Sequence, residues 1–253
     1  MKVPLLDLKL QYAQIKDEIT SAISEVLESQ QFIFGPQLEA FEKEIAHYIQ
    51  VNHALGVSSG TDALLISLMA LDIRKGDVVI TSPFTFFSTA GSISRVGATP
   101  LFVDIDPLTY TISPEKIEET ISSLERNQLK RVKALIPVHL YGQCADMDSI
   151  MEIAKKYHFK IIEDAAQALG AKYLGKGSSE SYQFAGSRGD FGCLSFFPTK
   201  NLGGYGEGGM VVSQDELLAN KVRILRHHGS RLQQAQYYYD EIGINGRLDA
   251  LVP

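Results

Sequence analysis

The chain has 253 residues, enough for one large α/β core or two modest ones, and its 45% hydrophobic and 21% charged residues are ordinary for a globular protein. A formal net charge of -6 and the lack of any basic run leave no stripe for a phosphate backbone, so small molecules or other protein chains are better partners than nucleic acid. Cys144 and Cys193 lack metal-ligand spacing, which argues against a disulfide scaffold or a zinc site and for a reducing cytoplasm. The N-terminal stretch Met1 to Asp7 meets charge too early for a signal-peptide core. The uncharged run from Val78 to Ser94 carries Pro83, Gly91 and many hydroxyls, so it does not read as a membrane span, and a soluble protein is expected.

In chain order, Gln11 to Ser29 reads as helix, Gly35-Pro36 as a turn, and Gln37 to Gln50 as an amphipathic helix with Leu38, Phe41, Ile45 and Tyr48 on one face. From His53 onward short apolar runs alternate with helical patterns. Strands are predicted at Ala54 to Ser58, Val78 to Ser82, Leu101 to Ile105, Ala134 to His139, Lys160 to Glu163, Gly192 to Phe197 and Met210 to Ser213. Helices are predicted at Asp62 to Leu71, Pro114 to Leu124 with Ser113 as N-cap, Met147 to Tyr157, and Glu216 to His227. This alternation predicts an α/β fold with a mostly parallel sheet, helices on both faces, and a ligand beyond the carboxyl ends of the strands.

Several segments place chemistry at those ends. Ser195-Phe196-Phe197-Pro198-Thr199-Lys200-Asn201-Leu202-Gly203-Gly204 carries a lysine out of an apolar strand into a run of glycines. A surface lysine is the commoner case, but an amine beside apolar walls or other cations loses its charge readily and can form a Schiff base with an aldehyde or ketone. Ser58-Ser59-Gly60-Thr61-Asp62 follows a strand and opens a helix; it is either an ordinary cap or a phosphate cradle of free N–H groups and the Thr61 hydroxyl. Asp164, just past a strand, either caps the next turn of chain or pairs with a protonated pyridine nitrogen, and Gln167 could bond a ring substituent. Phe86 lies in an aromatic cluster that is either core or a ring platform. His139, in apolar surroundings at another strand end, reads as a satisfied core or supporting residue and not as a base. The run Gly203 to Gly209 precedes a strand instead of following one and opening a helix, so it is not a dinucleotide loop. A Schiff-base lysine, a phosphate site, an aromatic ring face and a carboxylate are together the needs of pyridoxal 5'-phosphate.

The sequence resembles the DegT/DnrJ/EryC1/StrS aminotransferases, which act on nucleotide-linked keto sugars and share the fold-type I architecture of aspartate aminotransferase. The resemblance runs from about Pro4 to the last residue. It rests on Phe34-Gly35-Pro36 with Phe41-Glu42, Ser59 to Leu64, Gly97-Ala98-Thr99-Pro100 with Val103-Asp104, Pro137 to Gly142, Glu163 to Gln167, and the segment around Lys200. It implies that Lys200 carries the cofactor, Asp164 faces its ring nitrogen, Gln167 its ring hydroxyl and Phe86 its ring face, with Gly60, Thr61 and Ser195 on the phosphate. Asn245, in Gly243-Ile244-Asn245-Gly246-Arg247, matches a segment that reaches a partner subunit's site, although an aromatic is more usual where Gly246 stands. No metal is implied.

The implied fold is a three-layer large domain with a mixed, mostly parallel sheet. Residues 1–50 are expected to be a helical segment packed on a cofactor-binding unit of residues 51–253, with the chain ending before a smaller C-terminal domain. The implied activity is amino transfer, with glutamate as donor, to a nucleotide-diphospho-keto-sugar in amino-sugar or surface-polysaccharide synthesis by a cytoplasmic homodimer with shared sites. A sugar dehydratase of the same fold is expected to carry histidine at position 200, so Lys200 argues against it. A non-catalytic regulatory or truncated homologue is the alternative from another class.

Overall fold

The computed structural model describes residues 3–175, 182–230 and 238–252. Two helices lead, α1 (Leu8–Ser29) and α2 (Pro36–Tyr48), followed by β1 (His53–Val57), α3 (Gly60–Ala70), β2 (Val78–Thr81), α4 (Phe87–Arg95) and β3 (Thr99–Phe102). Next come α5 (Pro114–Ser123), the short α6 (Arg126–Leu129), β4 (Val132–Ile136), α7 (Met147–Tyr157) and β5 (Lys160–Asp164). A small hairpin of β6 (Lys172–Leu174) and β7 (Tyr182–Phe184) precedes β8 (Phe191–Ser195), β9 (Gly209–Ser213) and α8 (Glu216–Leu225).

Seven strands form one sheet in the order β1-β9-β8-β5-β4-β2-β3. The pairs β2–β3, β2–β4, β4–β5 and β5–β8 are parallel, while β9 runs antiparallel to both β8 and β1. The sheet is therefore mixed and mostly parallel, as expected, and β1 points the same way as β8. Side chains alternate across it. Val79, Ala134, Ile136, Ile162, Cys193 and Val211 pack on one face with α3 and α8, whereas Ile80, Leu135 and Ile161 pack on the other with Ile117 of α5 and Ile150 and Ile153 of α7. Farther along that second face, Leu194, Met210 and Val212 meet Ile45 of α2. Alternation thus builds three layers, helix, sheet and helix.

Local chemistry sets the element ends. Ser59, Ser113, Asp146 and Asp215 each accept backbone N–H bonds in the first turn of a helix, and Pro114 takes the first position of α5. The strand predicted to run to His139 ends at Ile136, because Pro137 has no N–H to donate to the ladder. The strand predicted at Leu101 to Ile105 lies at Thr99–Phe102; Pro100 is tolerated because β3 is an edge strand. Helix α4 was not expected from the sequence. It has no side-chain cap and holds Gly91 and several serines, yet it is held by burial of Thr89, Ser92 and Ile93.

An ion pair with a buried arginine ties α2 to the sheet. Glu42 of α2 accepts the N–H of Gly56 (2.7 Å) and a guanidinium N–H of Arg226, which also donates to the Gly56 carbonyl at 2.8 Å. Arg226 is 4% exposed and lies 5.1 Å from the Phe34 ring centroid. Among the described residues no helix is long and apolar enough to cross a membrane.

Candidate active site

Because β1, β2, β4, β5 and β8 point the same way, their carboxyl ends share one edge, and the start of the antiparallel β9 lies there too. A cavity of about 450 Å³ opens at that edge. It is lined by Ser59, Gly60 and Thr61 after β1, by Thr85, Phe86 and Ser88 after β2, by Asp164 at the end of β5 and Gln167 beyond it, and by Ser195 at the end of β8 and Lys200 beyond it. Seven predicted site residues, Gly60, Thr61, Phe86, Asp164, Gln167, Ser195 and Lys200, therefore meet around one space. Asn245 does not line it; it is exposed and bridges to His227.

Gly60 begins α3 hard against β8. A Cβ there would lie 2.7 Å from Ser195 Cβ and 3.3 Å from Ser195 Cα, so only glycine permits this approach. As the first two residues of the helix, Gly60 and Thr61 have N–H groups without helical acceptors, and the helix dipole adds positive potential. Thr61 Oγ1 lies 2.8 Å from Ser88 Oγ. Two hydroxyls and two N–H groups beside the Ser195 side chain make a concavity suited to a phosphate.

Asp164 is 6% exposed. It accepts the Thr89 hydroxyl at 2.8 Å on Oδ2 and the Ala166 N–H at 3.3 Å on Oδ1. Burial pushes its carboxyl above the usual range, opposed by those two hydrogen bonds and by the charge of Lys200. A buried carboxylate in this state favours a cation beside it. Gln167 Oε1 accepts the Tyr141 N–H at 2.8 Å, which leaves its NH₂ group as the donor for any ligand. Phe86 is 69% exposed at the start of α4 and presents a free aromatic surface.

His139 plays the supporting part expected of it. Its Nδ1 accepts the Ala145 N–H at 3.1 Å, so its proton sits on Nε2, which donates to Glu163 at 2.8 Å. Glu163, fully buried, also accepts the N–H groups of Gly186 (3.0 Å), Arg188 (2.7 Å) and Gly189 (2.6 Å). Burial opposes its ionisation, but the hydrogen bond from His139 and the backbone donors outweigh it and hold the carboxyl below its usual range. Thr85, Ser88 and Thr89 were not singled out in the sequence. Their only signal was a run of hydroxyls just past a strand end.

A lysine and a buried carboxylate on one cavity, beside an anion cradle at the carboxyl edge of the sheet in a three-layer fold, define the fold-type I transferase class. The model of the DegT/DnrJ/EryC1/StrS aminotransferase family matches residues 13–252, and the chain belongs to that family. It is 48% identical over 251 residues to a pleiotropic regulatory protein of Geobacillus stearothermophilus, covering 99% of this chain and 63% of that one. It is 46% identical over 249 residues to the UDP-N-acetyl-3-dehydro-alpha-D-glucosamine 3-aminotransferase of Acidithiobacillus ferrooxidans, covering 98% and 63%. The crystal structure of Bacillus subtilis NtdA with bound cofactor PMP superposes with a TM-score of 0.86 at 36% identity, covering 99% of this chain and 54% of that one. The chain thus spans less than two thirds of the length of these relatives.

Proposed function

We propose that this chain is the cofactor-binding part of a pyridoxal 5'-phosphate-dependent aminotransferase that moves an amino group from glutamate to a nucleotide-diphospho-keto-sugar, for amino-sugar or surface-polysaccharide synthesis. The observation that carries the reading is the meeting of Lys200, Asp164, Gln167, Phe86 and the Gly60–Thr61–Ser195 cradle on one cavity. The residues fit the group: the cradle exists only because position 60 lacks a Cβ, and the buried Asp164 calls for a cation such as a protonated pyridine. The sugar part of the reading draws on family membership and on the relative named as a nucleotide-sugar aminotransferase.

When bound, the cofactor supplies an electron sink for charge on the amino-acid carbon. Lys200 Nζ would hold the cofactor by its aldehyde and would serve as the base and acid for the proton on the amino-acid carbon. Asp164 would keep the ring nitrogen protonated, the Gln167 NH₂ group would donate to the ring hydroxyl, and Phe86 would cover one ring face. Gly60, Thr61 and Ser195 would hold the phosphate. Asn245, exposed outside its own cavity, serves the site of a second copy in a cytoplasmic homodimer. Residues 51–253 are the cofactor-binding unit and residues 1–50 a helical segment packed on it.

The test is incubation of the chain with pyridoxal phosphate, glutamate and UDP- or dTDP-linked keto sugars, read by mass spectrometry. Amino sugar and 2-oxoglutarate are expected in equal amounts with ping-pong kinetics. Cofactor binding without transfer to any nucleotide keto sugar would overturn the substrate assignment.

A further inference from the structure

Three side chains form a hydrogen-bonded line that runs from the cavity wall through a buried hydroxyl to Asp164. Thr85 Oγ1 lies 2.8 Å from Thr89 Oγ1, and Thr89 Oγ1 lies 2.8 Å from Asp164 Oδ2. Thr89 has no exposed surface, and Thr85 lines the cavity. The direction of the line follows from donor inventory. An ionised carboxylate only accepts, so the single Thr89 proton is committed to Asp164, and the Thr89 oxygen then accepts the Thr85 proton. With Oδ1 held by the Ala166 N–H, both carboxylate oxygens are fixed and the rotamer is set.

We propose that Thr89 is a positioning residue that aims the Asp164 carboxylate at the cofactor's ring nitrogen, and that Thr85 orients Thr89 by donating to it. The proposal rests on the cofactor reading above. Both threonines come from the turn that opens α4, so the segment carrying the ring platform Phe86 also sets the carboxylate at the end of β5. The other charged or titratable groups near Asp164 are His139 and Glu163, coupled to each other, Lys200, and the Cys193 thiol. Among the described residues, Thr89 is the one that donates a side-chain hydrogen bond to Asp164.

Thr89→Val keeps shape and removes the hydroxyl, whereas Thr89→Ser keeps the hydroxyl. Carbon-13 NMR of the cofactor-free chain should show the Asp164 carboxyl titrating at higher pH in T89V than in wild type and T89S. A lost hydrogen bond to a charged group predicts about 10- to 100-fold weaker pyridoxal phosphate binding by T89V, with T89S within about threefold of wild type. An analogue with carbon in place of the ring nitrogen should bind T89V and wild type alike, which a packing role would not produce. Thr85→Val, at a half-buried site, should move affinity and titration the same way but less. T89V that titrates and binds like wild type, or T89S as impaired as T89V, overturns the proposal. Wild-type protein that binds no pyridoxal phosphate overturns the cofactor reading instead, while the cofactor-free titration still decides whether Thr89 acts on Asp164.

Discussion

Gly60→Ala probes the cradle at its tightest point. The new Cβ would stand 2.7 Å from Ser195 Cβ, whereas carbons in good contact sit about 3.5–4.0 Å apart, so α3 and β8 must separate by about 1 Å. Overpacking of this kind costs about 1–3 kcal/mol, offset in part by about 0.5–1 kcal/mol from replacing a helical glycine. At about 2–4 °C per kcal/mol, Tm should fall by a few degrees. Because the movement parts the two walls of the phosphate site, pyridoxal phosphate affinity should fall at least about tenfold. Thermal unfolding and fluorescence titration read the two effects. In the double variant Gly60→Ala/Ser195→Gly the Cβ clash is gone, so Tm should recover relative to Ser195→Gly alone while affinity stays low without the Ser195 hydroxyl. A G60A protein with wild-type Tm and wild-type affinity would refute the reasoning.

Glu42→Ala leaves the buried Arg226 guanidinium without its counter-charge, which should cost about 3–5 kcal/mol and lower Tm by about 6–20 °C; a change under about 2 °C would show that the pair is not holding α2 to β1. Burial pushes the Cys144 thiol up to about 11, so iodoacetamide should label it roughly 100-fold more slowly at pH 8 than an ordinary thiol, against the prediction if mass spectrometry finds the ordinary rate. The raised thiol favours the fold fully below the ordinary thiol range, and that contribution is lost as pH climbs through about 11. Asp164 is likewise raised, so in the cofactor-free chain its folded form loses stability as pH rises through its folded value. Asp164→Asn should therefore raise Tm at pH 7 more than at acid pH, at about 2–4 °C per kcal/mol, while abolishing function; a less stable D164N at pH 7 would contradict this.

The residues legible in the sequence were those announced by a strand end. Lys200, Asp164, Gln167 and the Ser59-Gly60-Thr61 start each follow an apolar run, and the doubly wound pattern says where ligands sit. The helix α4 escaped because its periodicity is carried by Thr89, Ser92 and Ile93, two of them hydroxyl residues that read as loop. Thr85 and Thr89 were missed with it. The Glu163 network was illegible for a different reason: three of its four donors lie in Gly186 to Gly189, more than twenty residues away, and only the fold brings them together. Strand order was equally hidden, since β1 pairs with β9 across most of the chain.

Lys200 tests the account most directly. Wild-type protein incubated with pyridoxal phosphate, reduced with borohydride and digested should yield one pyridoxyl-modified peptide, the one spanning Ser195 to Gly204, and Lys200→Ala should yield none. An unmodified Lys200 peptide, or a stoichiometric adduct on another lysine, would contradict the account.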